Sequence, residues 1–403
     1  MMLRKNIKQI LFLSVAAFFD GYDFVAITQI LPNLRHEFGL NEFQGGMLIS
    51  FINIGALLSY FLLRLTDKFG RAKLLNITII GYTISTFLSG IAPDVYSFAL
   101  FQFFARIFLL AETSIAIIYV SEEFSSKDRG FYIGLLQGIL GLGMIACLAL
   151  VPVLLKQPFG WRNIYFIGII PLLMIAISRR SIVETKKYIE ASHNRIREKL
   201  SLLYIWKTPY RKRLIIVGII WLLTFACTHS TFVFWKEYAV AERGFTDEMA
   251  AKAVALASVI ALPFVFFVGK IIDKIGRKTG AVVIFSIKTI SVICSFTFTG
   301  FWPLTFFLIF GIFGASSILI ILNTFTAELF PTDIRGNAFA WANHLIGRFG
   351  WVLSPVLIGF YAQDHGWSLI LKSTAIFIFL ALLLILFLFP ETKNKELELT
   401  SKL

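Results

Sequence analysis

The sequence predicts an all-α membrane protein with twelve transmembrane helices in two six-helix halves. Three observations carry this expectation. The 403-residue chain is 57% hydrophobic and only 15% charged, where soluble domains carry about a quarter charged residues. Its mean hydropathy is +0.78, and its apolar residues collect into runs of about 20, the length that crosses a bilayer as a helix. Motifs in the first half return in the second at a constant offset of 206 residues. Backbone polar groups in hydrocarbon need partners within their own segment, so each run should be helical.

Span one, residues 8–31, contains FFDGYDF at 18–24. Asp20 and Asp23 are its acids, and no other charge lies between Ile10 and Leu31. Its length, its acids and the lack of a small-residue cleavage site mark it as a retained span, not a cleavable signal. Span two (44–65) runs into LRLTDKFGRAK at 63–73. Span three covers 74–92. Span four (95–120) carries Gln102, Arg106 and Glu112. Span five (131–155) carries Gln137, and span six (162–178) closes the first half. A basic link follows, from Arg179 and Arg180 to Lys212 and Arg213. The second half has span seven (214–235) with His229, span eight (249–272) and span nine (279–300) with Lys288. Span ten (302–327) has Asn323, span eleven (338–362) has Arg348, and span twelve is 368–390. The expected organisation is an N-terminal six-helix bundle at 1–178, a cytoplasmic linker at 179–213, and a C-terminal bundle with a short tail at 214–403.

The net charge of +14 is unevenly placed. Lys and Arg collect in the link and after spans two, four and eight, while the alternate loops hold few. The positive-inside rule therefore puts both termini and the link in the cytoplasm of an inner-membrane protein. Contact with anionic lipid accounts for the remaining basic excess; nucleic-acid binding would need a soluble basic domain. Cys147, Cys227 and Cys294 all lie within spans, without C-x-x-C spacing, and read as free apolar thiols. The five histidines lack metal-site spacing, and no G-x-x-x-x-G-K-[ST] phosphate loop is present. An enzyme, a metal site and a cofactor are therefore not expected, and a proton gradient is the expected driving force.

The repeat defines candidate gating residues. Asp67 and Asp273, Gly70 and Gly276, and Arg71 and Arg277 stand 206 residues apart, as do Glu122 and Glu328, and Arg129 and Arg335. VETKK at 183–187 and PETKN at 390–394 close the two halves. The glycines permit a tight turn that a Cβ would crowd. The arginines are able to pair with Asp67, Asp273, Glu122 and Glu328 as a latch between neighbouring helices, or else simply to fix the loops.

Two six-helix halves with D-K-x-G-R after spans two and eight resemble the major facilitator superfamily of secondary transporters along essentially the whole chain. The resemblance implies a midplane substrate site and rocking-type alternating access. GYD at 21–23, VETKKY and ELFPTDIRG at 328–336 look like the sugar-porter branch. RGFYIGLLQ at 129–137, Glu112 and GRFGWVLSP at 347–355 look more like the metabolite:proton and aromatic-acid:proton symporters, which mostly carry organic acids or zwitterions. The paired Gln of sugar carriers is replaced by ACTHST at 226–231. Gln102 occupies a position where many relatives have Arg, with Arg106 one turn later.

Ionisable residues at membrane depth cost roughly 2.5–3.5 kcal/mol each on insertion scales and usually face a bundle interior. Arg106 and Arg348, from opposite halves, suit a carboxylate substrate, which guanidiniums grip bidentately; their alternatives are pairing with Asp23 or Glu112, and with a carbonyl or lipid. Glu112, Gln137, His229, Asn323 and Gln102 are the further substrate-site candidates, each with a helix-packing alternative. Two ionised acids as close as Asp20 and Asp23 repel in a low-dielectric medium, so one should take up a proton near neutral pH. The GYD resemblance points to Asp23, with Asp20 the weaker candidate. The expected protein is thus a monomeric proton-coupled symporter importing a small organic acid or zwitterion. Its rivals are a drug or metabolite exporter by proton antiport, a sugar or polyol carrier, and a receptor built on a transporter fold. The exporter is disfavoured because GILGLGMIACLALVP at 138–152 lacks a Gly-Pro pair. The receptor should add a long soluble tail, and only a short one follows span twelve.

Overall fold

The computed structural model describes residues 2–123, 129–167, 169, 184 and 202–392. Among them, nine helices are long and apolar enough to cross a membrane, and Gly138–Leu154 is a shorter apolar helix. Most of span six and of the link lies outside the described residues.

The chain divides into two compact units. The first comprises Met1–Gly39 and Phe51–Glu198. It contains α1 (Met2–Phe38), most of α2 (Glu42–Phe69), α3 (Arg71–Gly90), α4 (Val95–Glu123), α5 (Arg129–Leu154) and the short α6 (Arg162–Phe166). α1 packs along α5, and α3 along α4. Leu13, Leu75, Ile79, Tyr82, Leu109, Ile115 and Tyr119 form the core between them. Gln9 Nε2 donates to Tyr119 Oη at 2.7 Å, satisfying one polar contact inside that core. α4 begins where the Asp94 carboxylate accepts from the Tyr96 and Ser97 N–H groups at 2.8 and 2.9 Å. This caps donors that a helix start otherwise leaves open.

The second unit comprises Leu40–Ser50 and Lys199–Leu403. A 3₁₀ turn at Leu202–Lys207 precedes α7 (Arg211–Val233) and α8 (Trp235–Ala241), then α9 (Asp247–Ile275), α10 (Arg277–Ser295) and α11 (Phe301–Glu328). Span eleven, expected as one helix, is α12 (Thr332–Phe339), a π-helical stretch at Ala340–Gly347, and α13 (Phe349–His365). α14 (Trp367–Ser373) and α15 (Ala375–Leu388) make up span twelve. α7 packs against the π stretch and α13, and Trp221 Nε1 donates to Thr326 Oγ1 at 3.1 Å. The first turns of α2 belong to this unit, where Ser50 Oγ donates to the Val352 carbonyl.

Large apolar side chains are exposed on both units, among them Leu11, Phe61, Ile84, Phe264, Phe306 and Phe387. In water such a surface would drive aggregation; facing lipid it costs nothing. Cys147 and Cys227 are buried free thiols and Cys294 is half-buried.

Candidate functional site

Asp20 and Asp23 are set by the crossing of α1 and α5. A Cβ on Gly21 would collide with the Leu140 carbonyl, and one on Gly143 with the Phe18 carbonyl. Each helix thus needs a glycine where it meets the other's backbone. The two contacts hold the acids at a defined depth.

Asp23 is 6% exposed. The Thr86 hydroxyl of α3 lies 3.4 Å from its Oδ2, and Arg106 on α4 and Tyr82 on α3 also act on it electrostatically. Tyr82 Oη donates to the Phe19 carbonyl at 3.2 Å. The Arg106 guanidinium lies 5.4 Å from the centre of the Phe24 ring. Among the described residues its Nη1 has no hydrogen-bond partner and no ion pair joins it to Asp23 or Glu112. Asp20 is 2% exposed and its Oδ2 is 2.8 Å from the Thr113 hydroxyl of α4. Glu112, next to Thr113, opens on the same apolar cleft as Asp20. The first unit therefore brings Asp20, Asp23, Arg106 and Glu112 together across α1, α3 and α4. Gln102 is turned away to donate to Ser89 Oγ at 3.0 Å, an α4–α3 packing bond.

In the second unit the π stretch ends at Arg348, whose guanidinium stands 4.5 Å from the centre of the Trp351 ring. The His229 ring of α7 stacks on the same indole at 4.7 Å, with 15° between the planes. A π stretch inserts a residue into the helical register, and Arg348 follows this one directly. Cation and aromatic faces in such contact attract electrostatically. Lys288 is buried on α10, where its Nζ donates to the Gly311 carbonyl at 3.2 Å. Asn323 is exposed on α11. The Gln137 side chain lies outside the described residues.

The repeated loops share one geometry. Gly70 (φ 97°) and Gly276 (φ 105°) adopt the left-handed backbone that favours glycine. Glu184 accepts from the Arg71 and Ala72 N–H groups at 2.9 and 3.2 Å. Glu391 accepts from those of Arg277 and Lys278 at 2.9 and 3.0 Å. Each acid thus meets the open donors and the positive dipole end of a helix. Arg71 Nη1 donates to the Thr66 carbonyl at 3.1 Å. Arg277 Nη2 pairs with Glu328 at 3.0 Å. The side chains of Asp67, Glu122, Arg129, Asp273 and Arg335 lie outside the described residues.

Several of these partners escape the sequence reading. Glu184 and Glu391 are the acids of VETKK and PETKN, which mark only the ends of the halves there. Their available signal was the nearly constant separation from the arginine they cap, 113 and 114 residues. Tyr82 and Lys288 are also 206 residues apart, as are Asp23 and His229. The repeat thus flags Tyr82 as the counterpart of a buried cation. Thr86, Thr113 and Trp351 carry no such mark.

Among the described residues, no group of three or more His, Cys, Asp or Glu side chains is placed to hold a metal ion. Among the described residues, the site offers carboxylates with no ion pair, a guanidinium with an open donor, and hydroxyls beside the carboxylates.

The sequence profile of the Major Facilitator Superfamily matches residues 13–355. The chain is 26% identical to the sialic acid transporter NanX of Escherichia coli over 363 residues, covering 86% of this chain and 85% of that one. It is 23% identical to the niacin transporter NiaP of Acinetobacter baylyi over 427 residues, covering 94% and 93%. Among solved structures it resembles the inward open xylose transporter XylE from E. coli, with a TM-score of 0.77, 18% identity, and 98% and 99% of the two chains covered.

Proposed function

We propose that this chain, a membrane transporter that belongs to the Major Facilitator Superfamily, is a proton-coupled symporter importing a small carboxylate-bearing or zwitterionic metabolite. The observation that carries the reading is the neighbourhood of Asp23. A buried carboxylate on α1 lies within electrostatic range of a buried guanidinium on α4 that has a donor to spare. An unmet donor on a buried cation is costly. A substrate carboxylate supplies the missing acceptor through a charge-assisted bond.

The cycle follows from that competition. Protonation neutralises Asp23 and leaves Arg106 to the substrate. The loaded carrier exchanges access to the other side by alternating access. The proton leaves into the less acidic cytoplasm, and the restored carboxylate competes for Arg106 and expels the substrate. Arg348, held against Trp351 beside His229, is a carboxylate contact of the second unit in this reading. Sialic acid and niacin, the cargoes named for two relatives, both bear a carboxylate. The Arg277–Glu328 pair acts as a latch that opens during the cycle, and the basic link and both termini face the cytoplasm.

The test is uptake into proteoliposomes under an imposed pH gradient, screened with sialic acid, niacin, cis,cis-muconate, a betaine and xylose. Once a substrate is found, Asp23→Asn, which mimics the protonated acid, should abolish pH-driven accumulation while keeping substrate-for-substrate exchange. Continued accumulation by Asp23→Asn would remove Asp23 from the coupling role. Uptake of xylose alone would end the carboxylate reading.

A further inference from the structure

The mechanism just proposed uses Asp23 and leaves two buried acids unused. Glu112 is 1% exposed and Asp20 is 2% exposed. Both line one cleft between α1, α4 and α5, whose other walls are aliphatic: Leu13, Ala17, Ala116, Leu136 and Leu140 among them. Neither Glu112 oxygen has a hydrogen-bond partner among the described residues, and neither does Asp20 Oδ1. Asp20 Oδ2 has the Thr113 hydroxyl.

We propose that Glu112 and Asp20 form a proton-binding site of their own, in which one proton is held between the two carboxyl groups, separately from Asp23. A fully buried carboxylate with no donor at all is the most expensive form Glu112 can take. Two neighbouring carboxylates also cannot both stay ionised in a low-dielectric cleft. Among the described residues, no cation acts on either of them. The groups facing the cleft and its surroundings are Asp23 and Tyr22 on α1, Tyr82 on α3, and Arg106 on α4. Cys147 on α5 and Tyr165 on α6 lie on the Tyr22 side. Arg106 is the one cation in that set, and it faces Asp23. The neutral Glu112 acid donates its O–H, Asp20 Oδ1 is the open acceptor in the same cleft, and Thr113 holds the other Asp20 oxygen. A metal ion fits less well. Hard cations take about six or more oxygens, and the cleft offers two carboxyls and one hydroxyl among aliphatic side chains.

The inference deepens the reading of a proton-driven carrier, but the two fail separately. The experiment is infrared difference spectroscopy of the full-length protein in lipid, titrated over pH in H₂O and D₂O. The expected result at neutral pH is a buried carboxylic-acid C=O band that shifts in D₂O. Glu112→Gln should remove one equivalent of it, Asp20→Asn should move it because the acceptor changes, and Asp23→Asn should leave it in place. A neutral-pH spectrum without such a band overturns the proposal, as does a band untouched by Glu112→Gln or removed by Asp23→Asn alone. Discharge of the band by sodium or potassium would also overturn it, in favour of a metal cation. Should Glu112→Gln fail to fold, Asp20→Asn decides the matter, since an unmoved band excludes a shared proton. Loss of pH-driven uptake in Asp23→Asn with the band intact separates this site from the coupling residue.

Discussion

Arg348 and Trp351 illustrate what a single side chain can do at membrane depth. A guanidinium over an indole keeps its planar fork while its charge is partly met by the ring. Arg348→Lys preserves the charge and loses the fork, so substrate affinity should fall by roughly tenfold. Arg348→Ala should cost more, toward a hundredfold, on the scale of one or two charge-assisted hydrogen bonds. Binding measured by tryptophan fluorescence or by the KM of uptake checks both; unchanged affinity in a folded Arg348→Ala protein would assign this arginine to packing. The ionisable residues themselves were legible in the sequence, because a charge inside a 20-residue apolar run has nothing to hide among. Their partners were not. Thr86 and Thr113 reach Asp23 and Asp20 from particular faces of other helices, and Trp351 meets Arg348 from the next turn of its own helix. In a helix that is apolar all round, the sequence carries no periodic stripe to say which face turns inward.

At the scale of the element, helix ends are where the loops do their work. Glu184 and Glu391 each close the first turn of a helix that starts directly after a left-handed glycine. Replacing either acid with Ala should cost about 1 kcal/mol, the usual loss of a helix cap, read as a lowered thermal midpoint in detergent. Asp94 caps α4 from the loop outside the spans. The Ser97 N–H foremost, with the Tyr96 N–H and the Ser97 hydroxyl, holds its carboxyl below the ordinary carboxylate range. Its contribution is therefore complete above that ordinary range and is lost as pH falls through the lowered value. Asp94→Ala should accordingly destabilise at neutral pH and make no difference in strong acid. Element existence was legible from run length, yet the break in span eleven was not. The π stretch has the same apolar character as the α-helix that follows it, so composition does not mark where the α geometry resumes.

For the whole chain, the offset of 206 residues was the most informative single signal, because it relates loops and buried positions alike: Gly70 to Gly276 at the turns, Tyr82 to Lys288 in the interior. The charge bias of the loops predicts sidedness as well. In a background with Cys147, Cys227 and Cys294 replaced by Ser, Lys207→Cys should react with an impermeant thiol reagent only from the cytoplasmic face. Asn41→Cys should react only from the opposite face. Both positions are exposed, so a missing reaction would not be a matter of burial, and labelling of Lys207→Cys from outside would invert the topology.

The glycine contacts between α1 and α5 have a mechanical consequence. Gly21 lies on the backbone at Leu140, and Gly143 on the backbone at Phe18. Two such abutments, one glycine from each helix, bring the backbones of α1 and α5 together and oppose sliding of one against the other. In the proposed cycle, a proton arriving at Asp23 therefore acts less through slippage between α1 and α5 than sideways, through α3 and α4, where the contacts are hydroxyls and a guanidinium that rotate at little cost.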